Sequence, residues 1–98
     1  MEATHIEQSK LEQLCRENDV TFLGLFGSVA RGEASSESDI DLVVRFSKRK
    51  SLLDLVRIER EIAEAFGREV DLVTEASLSP YLRARVLDDV QTVYDEDA

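Results

Sequence analysis

Ser38-Asp39-Ile40-Asp41-Leu42-Val43-Val44-Arg45-Phe46 is the stretch that decides the fold of this 98-residue chain. Ile40, Leu42, Val44 and Phe46 recur at every second position, the period of a strand with one buried face. Asp39 and Asp41 then project together from the opposite face. Like charges that close raise each other's pKa unless a cation lies between them, so a strand-borne Asp-x-Asp among apolar residues is costly without a metal. Hard oxygen donors suit Mg²⁺, which takes one or two carboxylates and completes its sphere with substrate phosphates and water. The competing reading of Asp39 and Asp41 is a polar stripe on a half-exposed strand.

Upstream, Val20-Thr21-Phe22-Leu23-Gly24-Leu25-Phe26 is a run of β-branched, aromatic and aliphatic residues too short for a helix. It is nearly apolar on both faces, which predicts a central strand. Gly27-Ser28 ends it and opens a turn into a predicted helical segment around Val29 to Gly32, where free backbone amides and a hydroxyl can cradle phosphates. Earlier still, Thr4-His5-Ile6-Glu7 has the form of a capping box, starting a helix that runs to about Asn18 with Leu11, Leu14 and Cys15 on one face.

Downstream, Ser51 is placed to cap a helix whose Leu52, Leu55, Val56, Ile62, Ala63 and Phe66 are expected on one apolar face, with Gly67 as its stop. Glu69 to Thr74 reads as a third strand, on which Asp71 points opposite to Val70 and Leu72. Should that strand neighbour the second, Asp71 completes a three-carboxylate cluster able to hold two metals roughly 3.5 to 4 Å apart. Ser79-Pro80 supplies a cap and a first-turn proline for a helix through about Leu87, and Val90 to Tyr94 is a predicted edge strand. The order α-β-α-β-α-β-α-β describes one α/β (α+β) domain over residues 1–98, a small mixed sheet with helices packed against it.

Composition narrows the function. Hydrophobic residues make up 43% of the chain, enough for a folded core, while 12 basic against 21 acidic residues leave a net charge of −9. A field of that sign repels nucleic-acid phosphates and anionic membranes, so no DNA, RNA or membrane partner is expected. One cysteine, Cys15, and one histidine, His5, exclude an internal disulfide and a Cys/His zinc cluster. With neither an apolar run of spanning length nor a secretory start, the expected compartment is the cytoplasm.

Gly27-Ser28-Val29-Ala30-Arg31-Gly32 followed, with ten residues between Ser28 and Asp39, by Asp39-Ile40-Asp41-Leu42 closely resembles the signature of the DNA polymerase beta-like nucleotidyltransferase superfamily. Within it, the length and the order of elements are similar to the minimal nucleotidyltransferases, the small antitoxin partners of HEPN-domain ribonuclease toxins. The resemblance runs from the first helix to the closing strand, and only the joint pattern is specific. It implies a polymerase beta-like palm in which Gly27 and Ser28 hold the β- and γ-phosphates of a nucleoside triphosphate. It further implies that Asp39 and Asp41 bind Mg²⁺, and that Asp71 binds a metal and activates the acceptor hydroxyl. Some members of that family transfer AMP from ATP to a toxin tyrosine, so ATP, Mg²⁺ in a two-metal site and a HEPN toxin, in an oligomer with this chain, are the implied substrate, cofactor and partner. Two other readings stand beside this one. The first is a non-catalytic antitoxin that blocks by binding. The second is a small-molecule transferase of the aminoglycoside type, disfavoured because the chain has no second domain to build that pocket.

The remaining features carry two readings each. Arg31 is a nucleotide-binding candidate or an anchor for nearby carbonyls and carboxylates. Ser38 orients Asp39 or belongs to an ordinary turn. Arg45-Phe46-Ser47-Lys48-Arg49-Lys50 is a solvated loop or a contact for a partner or nucleotide. His5 and Cys15, without partners at catalytic spacing, are expected to be structural. Asp95-Glu96-Asp97 is a solubilising end or a site for a basic surface.

Overall fold

The computed structural model describes residues 8–27, 32 and 39–97. The expected capping box at Thr4 to Glu7, the helical segment from Val29, and Ser28, Arg31 and Ser38 lie outside the described residues. Among the described ones, helix α1 (Gln8–Glu17) leads into strand β1 (Val20–Phe26), then β2 (Ile40–Phe46), α2 (Leu52–Phe66) and β3 (Val70–Thr74). A 3₁₀ turn (Glu75–Ser77), α3 (Pro80–Asp89) and β4 (Gln91–Asp95) complete the order.

The strands form one mixed sheet in the order β3-β2-β1-β4. β1 is antiparallel to both β2 and β4, whereas β2 and β3 are parallel, which requires the crossover that α2 supplies. The apolar β1 is central, as its composition predicts, and the C-terminal strand is an edge. One face of the sheet carries the core: Leu23, Ile40, Leu42 and Val44 are buried against Leu11 and Cys15 of α1 and Ile58, Ile62 and Phe66 of α2. Burying side chains of this size contributes about 1.5–3 kcal/mol each, so this cluster dominates the stability of the domain.

Local signals place α2. The Ser51 side chain accepts from the Asp54 amide while the Asp54 carboxylate accepts from the Ser51 amide, a capping box that keeps the Asp54 carboxyl below the usual carboxylate range. Gly67 ends the helix at φ 71°, a left-handed conformation that glycine adopts without steric cost. The expected apolar face of α2 needs correction. Ile58, Ile62 and Phe66 are buried, but Leu52 and Val56 are 76% and 47% exposed. The helical period explains this: positions 58, 62 and 66 face the sheet, with Ala63 packed at the margin of the core, whereas 52 and 56 lie on a neighbouring stripe in the first turns of the helix, beyond the reach of the core.

Polar contacts fix the helices to each other and to the loops. Asn18, buried at the end of α1, donates to the Leu14 carbonyl at 2.9 Å and to Glu61 at 3.3 Å and accepts from Arg57 at 3.0 Å. Three of the four cations between Arg45 and Lys50 are ion-paired. Lys50 donates to Asp19 at 2.8 Å, Lys48 lies 3.9 Å from Asp19, and Arg45 donates to Glu75 at 2.8 Å while covering the Phe22 ring. The hydrogen bond from Lys50, helped by the charge of Lys48, holds the Asp19 carboxyl below its ordinary range. Those three cations therefore tie the β2–α2 loop to the α1–β1 turn and to the end of β3.

Gly24 is demanded by packing. A Cβ there would come within 2.3 Å of Val90 Cγ2, on the face opposite the core, where the chain leaves α3 for β4. Gly24→Ala is expected to cost about 1–3 kcal/mol, the usual range for overpacking against a stiff β-branched neighbour. Urea unfolding of the purified variant measures it; wild-type stability would place Val90 elsewhere.

Candidate active site

Antiparallel pairing brings the last residue of β1 to the first residues of β2, and parallel pairing brings the start of β3 beside them. In the register, Phe26 faces Asp41 across β1 and β2, and Asp41 faces Asp71 across β2 and β3. Registered neighbours project from the same face, so the two carboxylates stand side by side. The Ile40 amide donates to the Glu69 carbonyl at 3.1 Å, extending the ladder to the very end of the sheet. Asp39, one residue before β2, is exposed; Asp41 is half-buried and Asp71 is exposed.

Gly27 follows directly on Phe26 and has φ 73°. A Cβ built there would lie 2.5 Å from Asp41 Oδ2. Two independent constraints thus call for glycine: the left-handed backbone and the close approach of a carboxylate. The order across this end of the sheet is Gly27, Asp41, Asp71, which are three of the residues picked out from the sequence.

The expected three-carboxylate cluster is drawn together only in part. Among the described residues no three His, Cys, Asp or Glu side chains converge closely enough to hold a metal. Asp41 and Asp71 are registered neighbours, and Asp39 is exposed just before β2; mutual repulsion of carboxylates opposes a tighter grouping. The donor set itself, all hard carboxylate oxygens, fits Mg²⁺. Cys15 plays no part, since burial pushes its thiol up to about 12 and leaves it a neutral core residue.

One element of the site was missed in the sequence. Leu82, Val86 and Asp89 repeat at i, i+4 and i+7 on α3 and, with Arg85, face Phe26 and Gly27 across a groove of about 210 Å³. The spacing was readable, but α3 buries no side chain, so an apolar-stripe criterion passes over it.

This fold, with a glycine turn at one strand end opposite paired acidic residues on the next two, defines a nucleotidyltransferase. The chain belongs to that family: the model of the nucleotidyltransferase domain matches residues 8–93. The protein adenylyltransferase MntA of Thermococcus cleftensis is 40% identical over 68 residues, which are 69% of each chain. A solved toxin–antitoxin structure with AMP-PNP contains a similar chain, 26% identical with a TM-score of 0.76, over 92% of this chain and 74% of that one. An antitoxin in complex with the tri-AMPylated HEPN toxin of Shewanella oneidensis shares the fold, at 24% identity and a TM-score of 0.66 over 90% and 69% of the two chains.

Gly27→Ala is expected to lower the free energy of unfolding by about 1–2 kcal/mol through the left-handed backbone alone, with a further loss from crowding Asp41. Repeating it in an Asp41→Ala background should recover only the crowding part. A denaturation cycle over the four proteins separates the two, and strictly additive effects would mean that Gly27 and Asp41 do not touch.

Proposed function

We propose that this chain is a protein adenylyltransferase that transfers AMP from ATP to a tyrosine of a HEPN-type toxin and thereby acts as its antitoxin. The observation that carries this reading is the sequence Gly27, Asp41, Asp71 across three adjacent strand ends. Its support from relatives is the identity to MntA and the likeness to a toxin–antitoxin chain crystallised with AMP-PNP.

Each group has a place in the chemistry. Gly27, with the amides and hydroxyl that follow it at Ser28, is assigned to the β- and γ-phosphates, and Arg31 is assigned to the same anionic group. Asp39, Asp41 and Asp71 are assigned to Mg²⁺, which when bound neutralises charge on the phosphates and holds them in place. Asp71 also takes the phenolic proton as the tyrosine oxygen bonds to the α-phosphorus. The bond from that phosphorus to the β-phosphate bridge breaks, and pyrophosphate leaves. Positioning dominates such a transfer, because an attacking oxygen held in line gains the benefit of an effectively intramolecular reaction. The reaction is assigned to the cytoplasm on the ground that ATP is its donor.

The test is the intact mass of the toxin after incubation with a small amount of this chain, ATP and Mg²⁺. A nucleotide-sized increment on a tyrosine is expected, absent with the Asp39→Asn, Asp41→Asn variant and strongly slowed with Asp71→Asn. Neutralisation that is one-to-one, independent of ATP and indifferent to all three substitutions would establish a stoichiometric blocker instead. An unmodified, fully active toxin would move the acceptor to a small molecule.

A further inference from the structure

We infer that the groove between α3 and the end of β1 holds the adenine ring of the donor nucleotide, with Leu82 and Val86 against the ring and Arg85 and Asp89 at its polar edge. This rests on the ATP-donor reading above and goes on to name what holds ATP beyond its phosphates.

Topology brings α3 to the site. β3 starts beside Ile40 and Asp41 and ends at Thr74, opposite Val44, away from the acidic end of the sheet. β4 starts at the other end, where Gln91 pairs with Leu25, and runs away from it to Asp95 opposite Phe22. The helix joining those two strands therefore returns along the sheet toward Gly27. It does so on the face opposite the core: Val90, which follows it, sits over Gly24, and Phe26, which lines the groove with it, is registered beside Asp41. The start of α3 is fixed by the Ser79 hydroxyl, which accepts from the Leu82 amide at 3.3 Å. Arg83 adds to this by donating to the Glu75 and Leu78 carbonyls, each at 3.2 Å. The last turns of α3 thus form a held wall on the face that carries Asp41.

Size and chemistry select the occupant. The groove measures about 210 Å³. Sites that enclose a whole small ligand run from about 300 to 1,000 Å³, so this one takes a part of the nucleotide. Phosphates are the wrong part. Asp89 lines the groove, Asp88 precedes it, and the C-terminal end of a helix is the negative end of its dipole. A base is uncharged, with two apolar faces and an edge of donors and acceptors. Phe26, Leu82 and Val86 offer apolar walls, and Leu82 is 50% exposed on a helix that buries no side chain, so a flat ring laid on it removes apolar surface from water. Arg85 and Asp89, one turn apart, supply a donor and an acceptor together. Adenine answers both, since its N6 amine donates to a carboxylate while a neighbouring ring nitrogen accepts from a guanidinium. Gly27 is itself a wall of the groove, so a ring seated there adjoins a triphosphate on the turn that Gly27 opens.

The test compares ATP with inorganic tripolyphosphate, which offers the phosphates without the base, by isothermal titration in Mg²⁺ at about 0.15 M salt, where distant charges are screened. The wild-type chain should bind ATP at least tenfold more tightly than tripolyphosphate. Leu82→Ser, Arg85→Met and Asp89→Leu should each lose at least fivefold in ATP affinity and keep tripolyphosphate affinity within twofold. ITP, which carries an oxygen in place of the amine, should bind the wild-type chain at least fivefold more weakly than ATP. Circular dichroism verifies folding, and Arg85→Met, at an exposed position, carries the test should Leu82→Ser not fold. Wild-type ATP affinity in the folded variants, or ITP bound as tightly as ATP, overturns the assignment of the groove to adenine. So does a loss of both ligands together in Arg85→Met with a gain of both in Asp89→Leu, which would put the phosphates there. A wild-type chain that binds neither ATP nor tripolyphosphate overturns the ATP-donor reading and this site with it.

Discussion

Everything at the candidate site depends on the register between β2 and β3. Parallel strands slip only in steps that move whole faces, and a shift of one residue would turn Asp71 toward the core while Asp41 stayed outside. The observed pairing, Asp41 opposite Asp71 and Ile40 opposite Val70, puts both carboxylates on one face and both aliphatic side chains on the other. The energy that holds it comes from the apolar side. Ile40, Leu42, Val44 and Val70 are buried with Ile58, Ile62 and Phe66, so the packing of α2 aligns the two acidic residues that would otherwise repel.

The helix that sets this register is itself well specified. Ser51 and Asp54 close its start, Gly67 ends it, and the Asn18, Arg57 and Glu61 contacts tie it to α1. With both ends determined, the crossover from β2 to β3 has little freedom in length or angle.

Much of this was legible in the residues. The alternation from Ile40 to Phe46, the apolar β1, and the capping signals at Ser51, Gly67, Ser79 and Pro80 are local patterns, and local patterns survive folding. The β4 strand was displaced by one residue and α3 ran two residues further than expected, because strand and helix ends are decided by pairing partners that a sequence does not display. The apolar stripe of α2 was read too broadly, since Leu52 and Val56 differ from Ile58 and Ile62 only in what lies opposite them. Asp71 was found by strand parity, but its neighbourhood with Asp41 required the sheet order. Arg45 and Lys50 were left open because their partners, Glu75 and Asp19, are about thirty residues away in the chain. Phe26, Leu82 and Asp89 became part of the site only once α3 was seen to flank Gly27.

The central claim is that Gly27, Asp41 and Asp71 act as one site across three strands. The most direct measurement is a crystal structure with a non-hydrolysable ATP analogue and Mn²⁺, with the metal located by its anomalous signal. The account predicts Mn²⁺ bound by the Asp41 and Asp71 carboxylates together, with the β- and γ-phosphates against Gly27. A triphosphate seated on another face, or a metal held by neither carboxylate, would contradict it.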